Sequence, residues 1–322
     1  MKNTYMPRGL SPQFMEDLQN GILNPLLLRA RADTSLDMEI RNDYLNVYYR
    51  GGNLVCVKRN LGTGYAFTFD TNYALDSSTA ALQLPPSSVK SRNDVDAWIQ
   101  MIPLIKDTMD LWFGKHPKEE RAAQQLVVHE NNSSPSAGGT DYFIVDIEYD
   151  NHHNARFDLV ALLWESNATA RRLHKGYLPK LTIIEMKSGD GALVGKSGIS
   201  AHLCQLRRFL GDPEQVKEFK EEMLQLFQQK RDLGLIRSLK GNRNQAIRVH
   251  ESIDVMFLMT NHDAASRRLA AALNEIEKDC SAATPGFQVG FCTANFMGYS
   301  LYEKNILSLC DFKDRFPKHI QG

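Results

Sequence analysis

Cysteine is scarce in this 322-residue chain, and the five that occur form no pattern. They stand at 56, 204, 280, 292 and 310, an odd number with no CxxC pair. That excludes a disulfide framework and a cysteine-ligated zinc site. Reduced, mostly buried thiols in a cytoplasmic protein are expected instead. An excess of charge of either sign is also lacking: Lys+Arg and Asp+Glu both number 38. Pure nucleic-acid-binding modules are commonly basic, because phosphate contacts supply much of their affinity. A neutral balance weighs against that class. It weighs less against an enzyme whose acidic metal site offsets a basic groove. No run approaches the roughly 18 apolar residues of a membrane span, and the first residues hold no apolar signal-peptide core, so neither is expected. Internal repeats and low-complexity tracts are missing as well.

What remains is ordinary globular material, 43% apolar and 24% charged, enough for one large domain or two modest ones. Residues 1–35 read as a helical lead-in, with Ser11-Pro12 as a start signal. MEIRNDYLNVYYRGGNLVCVKRN then reads as a β-hairpin turning at Gly51-Gly52, and YAFTFDTNYAL adds a strand. Residues 93–114 have helical apolar spacing, with Asn93 or Asp94 as cap and a kink expected at Pro103. Pro117 opens a second helix with acids in its first turn, and 131–139 is a loop. Three strand-like runs follow: TDYFIVDIEYD, ARFDLVALLWE and KLTIIEMKSG. After them come the helices ISAHLCQLRRFL and PEQVKEFKEEMLQLFQQKRDLG, the buried strand SIDVMFLMT, the amphipathic helix AASRRLAAALNEIEKD and an apolar tail. This is α/β organisation with a mixed sheet covered by helices. An N-terminal extension of helix and β-hairpin is placed at 1–92, and the main domain, with a C-terminal α/β elaboration, at 93–322.

The chemistry gathers in the third run. Glu185 and Lys187 are two apart at the end of a strand, so they project from one face, while Ile184 and Met186 take the other. Asp158 lies near the start of the preceding run and can stand beside Glu185 if the two strands pair. Two carboxylates and an ammonium then converge. Mg²⁺ takes only one or two carboxylates besides water and substrate oxygens, and it can polarise a phosphate and acidify a bound water.

FDLVALL followed by IIEMKSG resembles the D…(D/E)xK signature of the PD-(D/E)XK, or restriction-endonuclease-like, nuclease superfamily. The resemblance covers somewhat under half the chain. The 27 residues from Asp158 to Glu185 include an insertion, SNATARRLHKGYLP, and Phe157 stands where the family's usual proline would be. The resemblance implies an αβββαβ core with a mixed central sheet flanked by helices. It implies Mg²⁺ or Mn²⁺ held by Asp158 and Glu185, with Lys187 positioning the attacking water. Glu120, next to Glu119, is the counterpart of the family's helix-borne acid and a third metal ligand, and Gln205 is the polar residue of the following helix. The expected substrate is nucleic acid, DNA rather than RNA, in restriction, phage defence, repair or mobile-element biology. A homodimer would let both strands be cut.

Blander readings stand beside these. An ExK triplet can be a surface ion pair of little energetic value. GALVGKSG misses the P-loop pattern, because Asp190 stands where glycine is required, so nucleotide sensing is a minor alternative. Lys196 and Ser197 could instead touch a phosphate. Asp146 and Glu148 share a strand face that reads as solvated, and His152 and His153 read as an exposed turn. His202 is one helical turn from Gln205 and can face the site or pack beneath it. Arg50, Lys58 and Arg59 frame the YYRGGN hairpin, where a packed aromatic face is favoured over base stacking. A catalytically silent nuclease-fold binding module is the runner-up, weakened by the intact acidic set.

Overall fold

A computed structural model describes residues 7–60, 62–75, 82–151, 153, 155–173, 176–195, 198–237, 239, 247–263, 266–281, 287–295 and 298–315. It is mixed α/β, with two five-stranded sheets. The chain divides into two compact units, one of residues 1–129 with 225–243, the other of 130–224 with 244–322.

In the first unit, α1 (Pro12–Gln19) and α2 (Asn24–Ala32) precede an antiparallel meander. Its strands are β1 (Leu36–Ile40), β2 (Tyr44–Tyr49), β3 (Gly52–Arg59), β4 (Tyr65–Thr68) and β5 (Ser88–Val89), neighbours in that order. Two helices follow, α3 (Arg92–Lys115) and α4 (Glu119–Val128). The division expected between 92 and 93 falls inside this unit. The reason is the stripe Val95, Trp98, Ile102, Ile105 and Met109 on α3, all buried, with Trp98 packed 5.7 Å from Phe67 of β4. Each such side chain contributes about 1.5–3 kcal/mol by burial, so α3 belongs to the meander. Its cap also differs from expectation. Ser91 is the N-cap, and Asp94 closes a capping box: its carboxylate accepts from the Ser91 N–H at 2.9 Å, and its N–H donates to the Ser91 hydroxyl at 3.3 Å. Pro103 lies inside α3 without ending it, and α4 begins two residues after Pro117.

The YYRGGN hairpin turns one residue earlier than expected. Tyr49 pairs with Gly52, leaving Arg50 and Gly51 as the loop, with φ of 48° and 76°. Two consecutive positive φ values fit the twist of a tight hairpin. A Cβ on Gly51 would lie 2.5 Å from the Arg121 backbone. The tip is fastened by the Gly51 N–H to Gln125 Oε1 (2.8 Å), the Tyr49 hydroxyl to Asp110 (2.8 Å) and Arg50 to Asp110 (2.6 Å). Its arginine and tyrosine hold α3, and the Gly51 backbone holds α4.

The second unit is built on β6 (Tyr142–Asp150), β7 (Arg156–Leu163), the short α5 (Ala168–Arg171) and β8 (Lys180–Ser188). Then come α6 (Ile199–Leu210) and α7 (Pro213–Asp232), whose residues from 225 onward belong to the first unit. The chain ends with β9 (Asp254–Thr260), α8 (Arg267–Ser281), β10 (Val289–Ala294) and α9 (Leu309–Lys313). The sheet order is β10-β9-β8-β7-β6. Strands β6, β7 and β8 run antiparallel, whereas β8, β9 and β10 run parallel. The parallel neighbours require crossovers, and helices supply them. The apolar tail thus contributes a fifth strand and a helix.

The loop expected at 131–139 is ordered from within. Asn132 and Asn131 are buried in a π-helical turn, His129–Ser133. The Asn132 amide donates to the Ile144 carbonyl at 2.8 Å and accepts from the Ile144 N–H at 2.9 Å. It acts as a strand partner for β6 immediately before the irregularity between Ile144 and Asp146. Asn132→Ala is expected to cost about 2 kcal/mol, because both Ile144 backbone groups lose their buried partner. Urea denaturation checks this, and a loss below about 0.5 kcal/mol would mean that the clamp carries no stability. The cysteines depart from expectation: of those whose exposure is described, Cys292 is buried, Cys56 half-buried, and Cys204 and Cys310 exposed. No helix of the described residues is long and apolar enough to cross a membrane.

Candidate functional site: a buried carboxylate between two strands and a helix

The β7–β8 ladder pairs Val160 with Ile183 and Leu159 with Ile184. The register, continued one step past its last pair, would set Asp158 against Glu185. Directly opposed residues share a face, and Lys187, two residues on, shares it too. Glu185 and Lys187 thus share a face of β8, and Asp158 lies on the neighbouring strand just past the paired residues. The ladder stops at this point. Asp158 Oδ2 accepts the Met186 N–H at 2.8 Å, so a side chain meets β8 where β7 backbone pairing has ended.

Glu185 is 1% exposed and Lys187 4%. Lys187 Nζ lies 3.8 Å from Glu185 Oε2, and His202 Nδ1, from α6, lies 2.7 Å from the same oxygen. The histidine contact is close enough for an ion pair but misdirected for a hydrogen bond, and neither Glu185 oxygen has a hydrogen bond to protein. A buried carboxylate held only by charge proximity is costly. Of the two roles open to His202 in the sequence, it takes the one that faces the site.

Asp146 was expected on a solvated strand face. It is wholly buried instead. Its register partner is Val160, which pairs in turn with Ile183, two residues before Glu185 on the same face. Glu148 falls between the pairs Ile147–Leu159 and Tyr149–Phe157, and so across from Asp158. Its φ is 50°, a left-handed conformation that costs a non-glycine residue about 1–3 kcal/mol and tends to occur at functional sites. Alternation in the sequence shows that Asp146 and Glu148 share a parity. It cannot show the irregularity that buries one and strains the other.

Gln205, one turn after His202, is exposed in a cleft of about 400 Å³ lined also by Phe157, Arg208, Phe209 and Gln215. Glu120 is half-buried in the first turn of α4, within the first unit, while Glu119 beside it is exposed. His153 is exposed near Glu218. Asp190 accepts the Ser266 hydroxyl at 2.6 Å, and the turn leaving β8 begins at Gly189, whose N–H donates to the Thr260 carbonyl. His152, Lys196 and Ser197 lie outside the described residues.

The chain matches no protein-family model, no curated protein and no solved structure. Among the described residues, no group of three or more His, Cys, Asp or Glu is placed to hold a metal ion. Asp158 and Glu185 are nonetheless hard oxygen donors on neighbouring strands. The Glu185 oxygens, free of hydrogen bonds to protein, fit a divalent cation that takes two protein carboxylates and completes its shell with water and substrate.

Proposed function

We propose that the chain is a metal-dependent nuclease of the PD-(D/E)XK type, hydrolysing phosphodiester bonds of nucleic acid, DNA in preference to RNA. The observation that carries this reading is the buried pair Glu185 and Lys187 on one face of β8, next to the strand that bears Asp158. Asp158 and Glu185 would hold Mg²⁺ or Mn²⁺. The ion would supply Lewis acidity toward a phosphate oxygen. Lys187 orients the attacking water and balances the charge that develops on phosphorus. His202 holds the Glu185 carboxylate in place from α6. Gln205, exposed in its cleft, reaches the substrate backbone. A homodimer would present two such sites to a duplex.

One observation favours a catalytically silent nucleic-acid-binding module. His202 stands close enough to balance Glu185 without any metal. The deciding experiment incubates the full chain with plasmid, linear duplex, single-stranded DNA and RNA, with Mg²⁺, Mn²⁺ or EDTA, and measures binding in Ca²⁺ alongside. Cleavage that needs the metal supports the nuclease. Binding without cleavage of any of the four supports the silent module.

A further inference from the structure

An open cavity of about 390 Å³ lies in the second unit, on the sheet face turned away from Glu185. Thr182 lines it. It is an odd number of residues from Glu185, so it points to the opposite face. Its register partner Asp254 joins it there. Tyr142 opposes Leu163, which opposes Lys180, two residues from Thr182, so Tyr142 is on this face as well. The outer wall is the segment 303–308, bridged to β10 through Leu307 and Phe291. It comes close because residue 290 is glycine: a Cβ there would lie 2.3 Å from Ile306 Cγ2.

The floor is polar and buried. Thr182 is 1% exposed and Tyr142 3%, and the Thr182 hydroxyl has no hydrogen-bond partner. Asp254 and Glu303 add two carboxylates. Lys180 pairs with Asp254 at 3.1 Å, which leaves one negative charge. Burial pushes the Tyr142 phenol well above its usual range, and the charges of Glu303 and Asp254 push the same way, so both carboxylates act on this floor. The remaining lining is apolar in part, with Leu163, Met256 and Ile306, and also holds Gln288 and Ser308.

We propose that this cavity binds a primary alkylammonium group on a short apolar chain. An ammonium carries three donors and no acceptor, which suits two carboxylates and an unpartnered hydroxyl. The alkyl stem suits the apolar part of the lining, Leu163, Met256 and Ile306. A phosphate group would meet repulsion from Glu303 and Asp254. A bare metal ion would find Asp254 already engaged by Lys180 and far more space than it fills. The ammonium has two sources, a free diamine or the lysine side chain of another protein. The site does not depend on the nuclease reading.

The test titrates the full chain by calorimetry with 1,4-diaminobutane, with N-acetyl-lysine methylamide and with uncharged 1,4-butanediol. At least one amine should bind with Kd near or below about 1 mM, a modest affinity for so small a ligand, and the diol at least tenfold more weakly. Tighter binding of the lysine derivative than of the diamine assigns the site to a partner's side chain, and the reverse order assigns it to a free amine. Glu303→Gln, at an exposed rim position, should weaken amine binding about tenfold. Tyr142→Phe, which keeps the ring, should weaken it several-fold. No binding of either amine, equal binding of the diol, or an unchanged affinity in Glu303→Gln would overturn the proposal.

Discussion

Glu185→Gln is expected to abolish nucleic-acid cleavage while leaving the protein as stable as the wild type or slightly more so. The two effects come from one feature. The Glu185 carboxylate is buried beside Lys187 and His202 with no hydrogen bond to protein. Keeping such a charge in place without a ligand costs stability, and replacing it with an amide removes that cost. The same change removes a charged oxygen ligand. Metal-assisted charge stabilisation is worth several kcal/mol and each 1.36 kcal/mol is tenfold in rate, so cleavage should fall by about 10³-fold or more. Lys187→Ala should lower cleavage by about 10²–10³-fold, the scale of losing one preorganised donor at a developing charge. Binding in Ca²⁺ should persist in Lys187→Ala, since affinity rests on many phosphate contacts. The measurements are single-turnover cleavage with Mg²⁺ and Mn²⁺, thermal denaturation, and substrate binding in Ca²⁺. If Glu185 is instead one member of a structural triad with Lys187 and His202, its removal leaves buried cations uncompensated. The Glu185→Gln variant would then lose several degrees in Tm. That outcome, or cleavage that survives in Glu185→Gln, places the active site elsewhere.

Local patterns made much of the second unit legible. The run from Ile184 to Lys187 alternates buried apolar residues with a carboxylate and an ammonium, and strand geometry alone puts Glu185 and Lys187 on one face. The pairing of the Asp158 strand with the Glu185 strand could be read from two successive apolar runs. What stayed hidden depends on contacts distant in sequence. Whether His202 faces the sheet or packs beneath it is set by the phase of α6, which its local sequence does not determine. Asp146 looked solvated because alternation predicts parity, not what covers a face. The cap of α3 was misread within a dense polar stretch, Ser91 to Asp94, where Ser91, Asn93 and Asp94 can each cap; the reciprocal Ser91–Asp94 bonds decide it. The limits of the first unit were the least visible. They include residues 225–243, and nothing in the local sequence of α7 shows that its last two turns leave one unit for another.

Lys230→Met should therefore destabilise the first unit by about 3 kcal/mol, the second-largest effect expected. Lys230 Nζ donates to Glu39 Oε1 at 2.5 Å, joining α7 to β1, and both side chains are at most 1% exposed. The neighbouring Gln229 exchanges hydrogen bonds with the backbone of Leu10 at 2.9 and 2.8 Å. Together these contacts hold the returning segment. Removing one partner of a buried ion pair typically costs 3–5 kcal/mol, because the remaining charge keeps its desolvation penalty. Arg41 Nη1, 3.7 Å from Glu39, compensates in part, so the lower end of that range applies. Burial already holds the Asp37 carboxyl above its usual range, with Lys230 opposing the rise; losing Lys230 pushes it further up. At roughly 2–4 °C per kcal/mol, the Tm of the first unit should fall by about 10 °C. Hydrogen exchange should quicken in residues 226–232, before any change at β8. Glu39→Gln combined with Lys230→Met removes both charges and should recover at least half of the loss, the behaviour of a buried pair whose worth lies mainly in mutual neutralisation. A single-variant loss below about 1 kcal/mol would show that the segment is held by its apolar contacts instead. A double variant no more stable than Lys230→Met would show that Glu39 is needed for Arg41 rather than for α7.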